Sequence, residues 1–480
     1  MIKNYFKIGF RNLVHNKLYA AVNIGGLAVG IGCFTIIMLF VQHELSYDRF
    51  YSHAGRIYRV YQKQTGNTFL GSEFFAVTPT RLGGVLEEEC PEVEVATTLK
   101  DQHALLGHDN NHYWQYGLAA DDQFFKIFKP EFIRGGSQNV FGHARSIVLT
   151  ASLAEKIFGD ENAVGKLITY QNNNTYTVTG VVNDPPFNSS FQYTYIVDIR
   201  SIDAYAKDLG RTTWRGNNAQ TFLLLKPNAT VAALEQKFAG IIKKYRDPEA
   251  YANYPFQDQY FLERIEDLHL HAGINFDMGT KGNRQYIHLF SWVAVIVLVL
   301  ACVNYMSLAV ARSARRVREI GIRKVVGAQR SQIIAQFLGE SVLITFFAMA
   351  LGLILAALLL PTVGHWMDRP ITLNFTQNAW LLPALLALLV AVGLFSGSYP
   401  SLFLSSLRPI IVLKGKTGGT SALPLQRILI VAQYTVSITL VIGSLVIHHQ
   451  LQYMNKKDLG YDRKNIITIQ LLDRSVTIPA

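Results

Sequence analysis

The sequence predicts an α-helical integral membrane protein of about five spans with a large extracytoplasmic α/β domain. Three observations predict it: five long apolar stretches almost free of charge, basic residues gathered beside alternate ends of them, and one long segment of ordinary soluble composition. A spanning helix needs about 20 consecutive apolar residues to cross roughly 30 Å of hydrocarbon. Helices of globular proteins seldom stay uncharged for that length, which argues against the buried core helices of a soluble enzyme. With 50% hydrophobic and 16% charged side chains in 480 residues, the chain has the apolar material these spans require.

Residues 1–17 place Ile2, Tyr5, Phe6, Gly9, Phe10 and Leu13 at helical spacing, with Lys3, Lys7, Arg11 and Asn12 opposite. That pattern predicts an amphipathic cytoplasmic helix lying on the anionic inner leaflet. Residues 18–43 form the first span. Its apolar run is too long for a signal peptide and no A-x-A-like site follows it, so it reads as an uncleaved anchor.

Residues 44–284 form the extracytoplasmic domain. Strand-like runs at Arg56–Tyr61, Ser146–Thr150, Thr175–Val182 and Thr221–Leu225 alternate with helical spacing at Pro79–Glu89, Ser152–Phe158 and Thr230–Lys244. This alternation predicts one α/β-type domain, with a division into two lobes left open.

The second span is 285–311 and a cytoplasmic loop follows at 312–332. The third span, 333–363, holds a single acid, Glu340, and is expected to stop or bend near Pro361. The fourth, within 372–407, is interrupted by Pro383 and Pro400, so its helix is expected in the middle. A cytoplasmic loop at 408–427 precedes the fifth span, 428–455, and residues 456–480 begin a second extracytoplasmic segment. Cys33 and Cys302 fall inside spans and Cys90 alone faces outward, so no intramolecular disulfide framework is on offer.

Orientation follows from Lys and Arg, which are retained on the cytoplasmic side. Lys3, Lys7, Arg11 and Lys17 precede the first span. Arg312, Arg315, Arg316, Arg318, Arg323, Lys324 and Arg330, against Glu319 alone, separate the second and third. Arg408, Lys414, Lys416 and Arg427 separate the fourth and fifth. These segments carry about +14, leaving about −3 elsewhere against the net +11. The basic balance is therefore a topology signal and implies no nucleic-acid partner. It places the N-terminus of the multi-pass chain in the cytoplasm.

An internal echo runs through the chain: Tyr47-Asp48-Arg49 follows the first span and Tyr461-Asp462-Arg463 follows the fifth. With the same topology around each, the pair suggests an internal repeat.

The loop from Ala311 to Arg330 mixes seven basic residues with Val317, Ile320, Ile322, Val325 and Val326. A short helix there shows an apolar edge and a cationic edge, suited to a groove on a partner or, on the blander reading, to lipid phosphates. The run Glu319-Ile320-Gly321-Ile322-Arg323-Lys324-Val325-Val326-Gly327-Ala328, followed by Gln336-Phe337-Leu338-Gly339-Glu340-Ser341, closely resembles the signature of FtsX-like permeases of the MacB family. Arg11-Asn12 through Lys17 and Asn23-Ile24-Gly25-Gly26-Leu27-Ala28-Val29-Gly30 resemble that family's first helix and span. Glu44-Leu45-Ser46-Tyr47-Asp48, Arg56-Ile57-Tyr58-Arg59-Val60, Phe158-Gly159-Asp160-Glu161-Asn162 with Gly165-Lys166, and Thr179-Gly180-Val181-Val182 are similar to its MacB-type periplasmic core domain.

The resemblance implies the permease subunit of an ABC transporter in a bacterial inner membrane. In that family a separate cytoplasmic ABC ATPase docks on the loop, here on Arg318, Glu319, Ile320, Gly321, Ile322, Arg323, Lys324, Gly327 and Ala328. ATP is then bound and hydrolysed in the partner, and this chain needs no cofactor. Closure of the paired ATPases is passed through the spans to the outer domain, which is mechanotransmission, and the family's cargo ranges over peptides, antibiotics and lipoproteins. A second permease copy or half and a periplasmic adaptor are further partners the resemblance implies. The fifth span departs from the four-span pattern and resembles an eight-span, two-repeat relative truncated early in its second half.

Enzymatic readings fail on spacing. Gly159 to Leu167 has five residues between its glycines and Leu167 where a phosphate loop needs Ser or Thr for magnesium. His103, His108 and His112, and His269 with His271, match no metal-ligand pattern and read as solvated side chains. Glu340 reads either as a functional intramembrane carboxylate or as a hydrogen-bonded packing residue, since carboxylates are costly there. Two other functions stay open: an extracytoplasmic sensor or regulator of a cell-envelope enzyme, and a proton-coupled transporter centred on Glu340.

Overall fold

The computed structural model describes residue 11 and residues 14–457, apart from 69, 137–139, 144, 172–173, 203–213, 215–216, 247–255, 368, 370, 374–379 and 407–422. The side chains of 312–319 and 423–426 also lie outside the description. The expected amphipathic helix over 1–17, the second tyrosine-aspartate-arginine motif at 461–463 and most of the 408–427 loop therefore fall largely or wholly outside the described residues. The chain divides into a helical unit, residues 1–42 with 287–466, and an outer unit built on residues 43–286.

Helix α1 spans Lys17–Leu45, two residues beyond the expected first span, and its last turn already belongs to the outer unit. That unit runs β1 (Ile57–Thr65), β2 (Phe74–Phe75), α2 (Leu82–Glu89), β3 (Val93–His108), β4 (Asn111–Ala120), α3 (Gln123–Ile127), β5 (Phe132–Gly135), β6 (Ser146–Thr150), α4 (Ala151–Phe158), β7 (Leu167–Tyr170), β8 (Asn174–Val182), β9 (Tyr195–Asp198), β10 (Gln220–Leu225), α5 (Val231–Tyr245), β11 (Gln257–Arg264) and α6 (Ile265–Leu268).

Among the described residues these strands make one sheet, ordered β11-β1-β10-β3-β4-β9-β6-β8-β5, with β2 on β1 and β7 on β3 and β8. Most pairs are antiparallel, and β4–β9 and β6–β8 are parallel. The two-lobe alternative is thus resolved into one continuous sheet. β6 and β10 are buried at every position because both faces are covered, so each carries a consecutive apolar run, Ile147–Leu149 and Phe222–Leu225, in place of alternation. α5 shows the complementary logic: Leu234, Phe238, Ile241 and Ile242 fall on one stripe and bury it against Leu82, Leu86 and Leu223.

β1 carries a charge into the interior. The Arg59 side chain is fully buried and donates to Glu263 at 2.6 Å and to Asp277 at 2.5 Å. Lys281 pairs with Asp277 at 2.9 Å, and His271 lies 2.5 Å from the second oxygen of Glu263. Burial pushes both carboxyls up, but His271 and Arg59 at Glu263, and Arg59 and Lys281 at Asp277, outweigh it and hold both below the usual range. Burial, joined by the Arg59 charge, holds the Lys281 ammonium low.

The helical unit continues with α7 (Arg284–Val325), α8 (Arg330–Met367), α9 (Leu381–Ser406) and α10 (Leu423–Lys456). Together with α1, five described helices are long and apolar enough to cross a membrane. Leu27, Ala28 and Ile31 of α1, Cys302 and Tyr305 of α7, Ile344, Ala348 and Met349 of α8, and Val392 of α9 share one core. Small residues set the approach: a Cβ on Gly30 would lie 2.4 Å from that of Ala301, and one on Gly352 would lie 2.8 Å from the Ala28 carbonyl oxygen. Close backbone packing of this kind replaces the hydrophobic drive that lipid cannot supply between helices. The described part of α10 buries none of its side chains.

α7 carries the expected second span over Arg284–Ala311 and runs on unbroken to Val325, so the short helix expected in the following segment is continuous with the span. Two sequence expectations are corrected here. α8 passes through Pro361 and continues to Met367. α9 includes both prolines: Pro383 sits in the first turn, where its missing N–H would be unpaired anyway. Around Pro400, the hydroxyls of Ser398, Ser401, Ser405 and Ser406 donate to carbonyls three residues back, at 2.7, 2.8, 3.0 and 2.7 Å. These bonds serve carbonyls of Phe395, Ser398, Leu402 and Phe403 in the turns around the proline, whose own missing N–H faces the Ser396 carbonyl.

Candidate coupling site

The residues between α7 and α8 form a four-residue break whose shape is fixed from both sides. The Ala328 amide donates to the Arg323 carbonyl at 3.0 Å and the Gly327 amide to the Lys324 carbonyl at 3.1 Å. Gly327 has φ +99°. These two bonds and a left-handed glycine are the Schellman ending of a helix, which satisfies carbonyls that would otherwise be orphaned. On the far side the Gln329 amide donates to the Gln332 side-chain oxygen at 3.1 Å, the return half of a capping box for α8.

Side chains then tie the break to α9. Lys324 donates to the Ser405 carbonyl at 2.6 Å, and Arg330 donates through Nε to the Ser405 hydroxyl at 3.3 Å. Cations suit this position because the last carbonyls of a helix carry partial negative charge. Partial burial and the neighbouring Arg330 charge hold the Lys324 ammonium below the usual lysine range. Arg323 donates to the Gln336 side-chain oxygen at 2.5 Å. Beneath them Ile320, Ile333 and Leu404 are buried together, with Phe337 and Phe403 packed against them.

The expected site residues therefore divide by role. Ile320 and Gly321 are buried within the unit, Arg323 and Lys324 brace it, and Gly327 with Ala328 closes the helix end. Ile322, Val325 and Val326 face outward, 55%, 64% and 81% exposed. The side chains of Arg318 and Glu319 lie outside the described residues. Sequence reasoning missed Ser405 and Gln332. The Gln332 cap was discoverable from its place three residues after Gln329, whereas Ser405 left no signal because its partner is 81 residues away.

Glu340 is buried in α8, beside a cavity of about 20 Å3, room for a single water, lined also by Tyr19, Tyr305, Phe337, Ser341 and Pro400. The Tyr305 hydroxyl and Ser341 Oγ lie 2.9 Å apart there.

The expectation of solvated histidines fails at His269, which is fully buried with Nε2 2.9 Å from Glu44. Among the described residues no cluster of His, Cys, Asp or Glu is arranged to hold a metal.

Five apolar spans joined to an α/β domain define the class: a multi-pass bacterial membrane protein with a large extracytoplasmic domain. Residues 20–241 match the MacB-like periplasmic core domain and residues 291–409 the FtsX-like permease C-terminal domain. The chain belongs to the ABC transporter permeases of the MacB/FtsX-like family.

The macrolide export ATP-binding/permease protein MacB of Campylobacter jejuni is 25% identical over 434 residues, covering 85% of this chain and 61% of that protein. MacB of Pasteurella multocida is 24% identical over 301 residues, covering 62% and 42%. The uncharacterized ABC transporter permease YvrN of Bacillus subtilis is 21% identical over 438 residues, covering 85% and 99%. The chain thus spans about half the length of the MacB proteins it matches. Among solved structures, a domain from Porphyromonas gingivalis is 22% identical with TM-score 0.41, covering 50% of this chain and 99% of that one. The periplasmic region of MacB from Actinobacillus actinomycetemcomitans is 13% identical with TM-score 0.33, covering 45% and 91%.

Proposed function

We propose that this chain is the permease subunit of an inner-membrane ABC transporter, with its N-terminus in the cytoplasm. A separate cytoplasmic ABC ATPase binds the break between α7 and α8, and its ATP-driven closure moves the extracytoplasmic domain. ATP is bound and hydrolysed in that partner. The work done outside is export or extraction of a peptide, antibiotic or lipoprotein-like cargo, the range the resemblance implies; the MacB relatives are named for macrolide export.

The observation that carries this reading is the exposed apolar edge of Ile322, Val325 and Val326 on a break that is otherwise fully braced. A braced turn with an exposed apolar edge transmits a push, because the backbone beneath it does not yield. Its cationic setting supports the cytoplasmic side by the positive-inside rule.

The test is a pull-down in mild detergent from the native membrane, comparing the parent chain with Ile322→Asp and Val326→Asp. Retention of an ATPase by the parent and its loss from the variants supports the reading. An ATPase held equally by all three refutes this docking edge, and an ATPase absent from all three favours a sensor or regulator of a cell-envelope enzyme.

A further inference from the structure

Two buried contacts meet where the chain passes from α1 into the outer unit and where it leaves for α7. At the first, Glu44 in the last turn of α1 lies 2.9 Å from His269 Nε2. His269 Nδ1 is 3.0 Å from the Thr280 carbonyl, which only accepts, so Nδ1 carries a proton. The Nε2 contact then requires one further proton, held between the imidazole and the carboxylate. The Tyr47 ring stacks on His269 with centroids 3.5 Å apart and 5° between planes. The Gly282 amide donates to the His269 carbonyl at 2.8 Å, and a Cβ on Gly282 would lie 2.6 Å from Glu44 Oε2. The segment that leads into α7 is thereby pressed against the end of α1.

At the second contact, Asp48 adopts φ +58° and is fully buried. Its carboxylate accepts from the Ser190 amide at 2.8 Å and from the Ser190 hydroxyl, and its own amide donates to the Asn188 carbonyl at 2.9 Å. Asn188 also donates to the Ser46 carbonyl at 3.0 Å. An aspartate in the left-handed region, with every polar atom of its carboxylate engaged, is a conformation that the surroundings must enforce.

We propose that the Glu44–His269 pair and the Asp48–Ser190 clamp form a latch locking the end of α1 and the lead-in to α7 onto the outer sheet. The end of α1 and the lead-in to α7 then move with the sheet as one body. The purpose rests on the coupling reading above, but the latch itself does not need the ATPase to be tested. Glu44, Tyr47, Asp48, His269 and Gly282 are positioning residues.

The test is a distance distribution by electron spin resonance on the full chain in nanodiscs. Cys33, Cys90 and Cys302 are replaced by Ser, and spin labels are placed at Ile133→Cys in β5 and Tyr286→Cys at the start of α7, both exposed positions of the outer unit. The latched chain gives a single narrow distribution. Glu44→Ala broadens it at least twofold, whereas Glu44→Gln keeps it narrow, because the amide donates to a neutral Nε2. Gly282→Ala broadens it by wedging the pair apart without removing a polar group, and near-ultraviolet circular dichroism confirms that each variant is folded. Equal widths in the parent, Glu44→Ala and Gly282→Ala overturn the latch, as does a broad parent. A narrow parent with broadened variants upholds it even if no ATPase is ever captured, so its failure and that of the docking reading are separate outcomes.

Discussion

Lys324 at the end of α7 donates to the carbonyl of Ser405 at the end of α9, at 2.6 Å, across 81 residues of sequence. The bond joins two helix ends and leaves the apolar tip between α7 and α8 braced from one side. Lys324→Met removes the donor and keeps the apolar stem. We expect ATPase affinity to fall about tenfold, or ~1.4 kcal/mol, in the range of one hydrogen bond to a charged group. Titration of the purified ATPase against both chains measures it, and an unchanged affinity would show that the brace is dispensable.

Gly327→Ala places a Cβ at φ +99°. A left-handed conformation costs an ordinary residue roughly 1–2 kcal/mol, and asparagine less. Hydrogen exchange of the Ala328 amide, which donates to Arg323, should accelerate by about tenfold in the alanine variant and less in Gly327→Asn.

Arg59→Leu removes one cation from two buried carboxylates, leaving Glu263 to His271 and Asp277 to Lys281. Breaking a buried pair from one side typically costs about 3–5 kcal/mol where the charge left behind has no other partner, and the remaining Lys281 and His271 place this variant at about the lower end. Thermal unfolding followed by near-ultraviolet circular dichroism should show the loss. Adding Glu263→Gln and Asp277→Asn should restore part of it, and no recovery would point to lost packing of the arginine stem instead.

Asp48 gives the outer unit a pH dependence of known sign. Burial pushes its carboxyl up to about 6 against a usual value of 3.8, with the Ser190 donors pulling the other way. A folded value above the unfolded one means that this group's stabilisation is complete below about pH 4 and lost as pH rises through about 6. The loss amounts to roughly 3 kcal/mol. Denaturant midpoints between pH 4 and 7 should therefore slope downward with pH from this group, and Asp48→Asn should flatten that component.

Where a local rule decided structure, the sequence was legible. β6 over Ser146–Thr150 and α4 ending at Phe158 stand where the expected strand and helix do. Proline rules misled at Pro361 and Pro400, which lie inside their helices, because without water to take over the backbone groups a membrane segment keeps its remaining helical bonds. His269 was misread as solvated because nothing within a few residues of it announces Glu44, which lies 225 positions earlier.

The sequence by itself determined that the chain crosses a membrane several times and which basic segments flank the spans. Those properties follow from apolar run length and charge, which need no tertiary contact to be read. Only the tertiary structure decided that Ile322, Val325 and Val326 stay outside while Ile320 is buried, that Ser405 holds Lys324, and that Glu44 meets His269. Each of these is a pairing between distant segments, set by packing and by hydrogen-bond geometry after the helices and sheet have formed, and neither quantity is encoded in any window of adjacent residues.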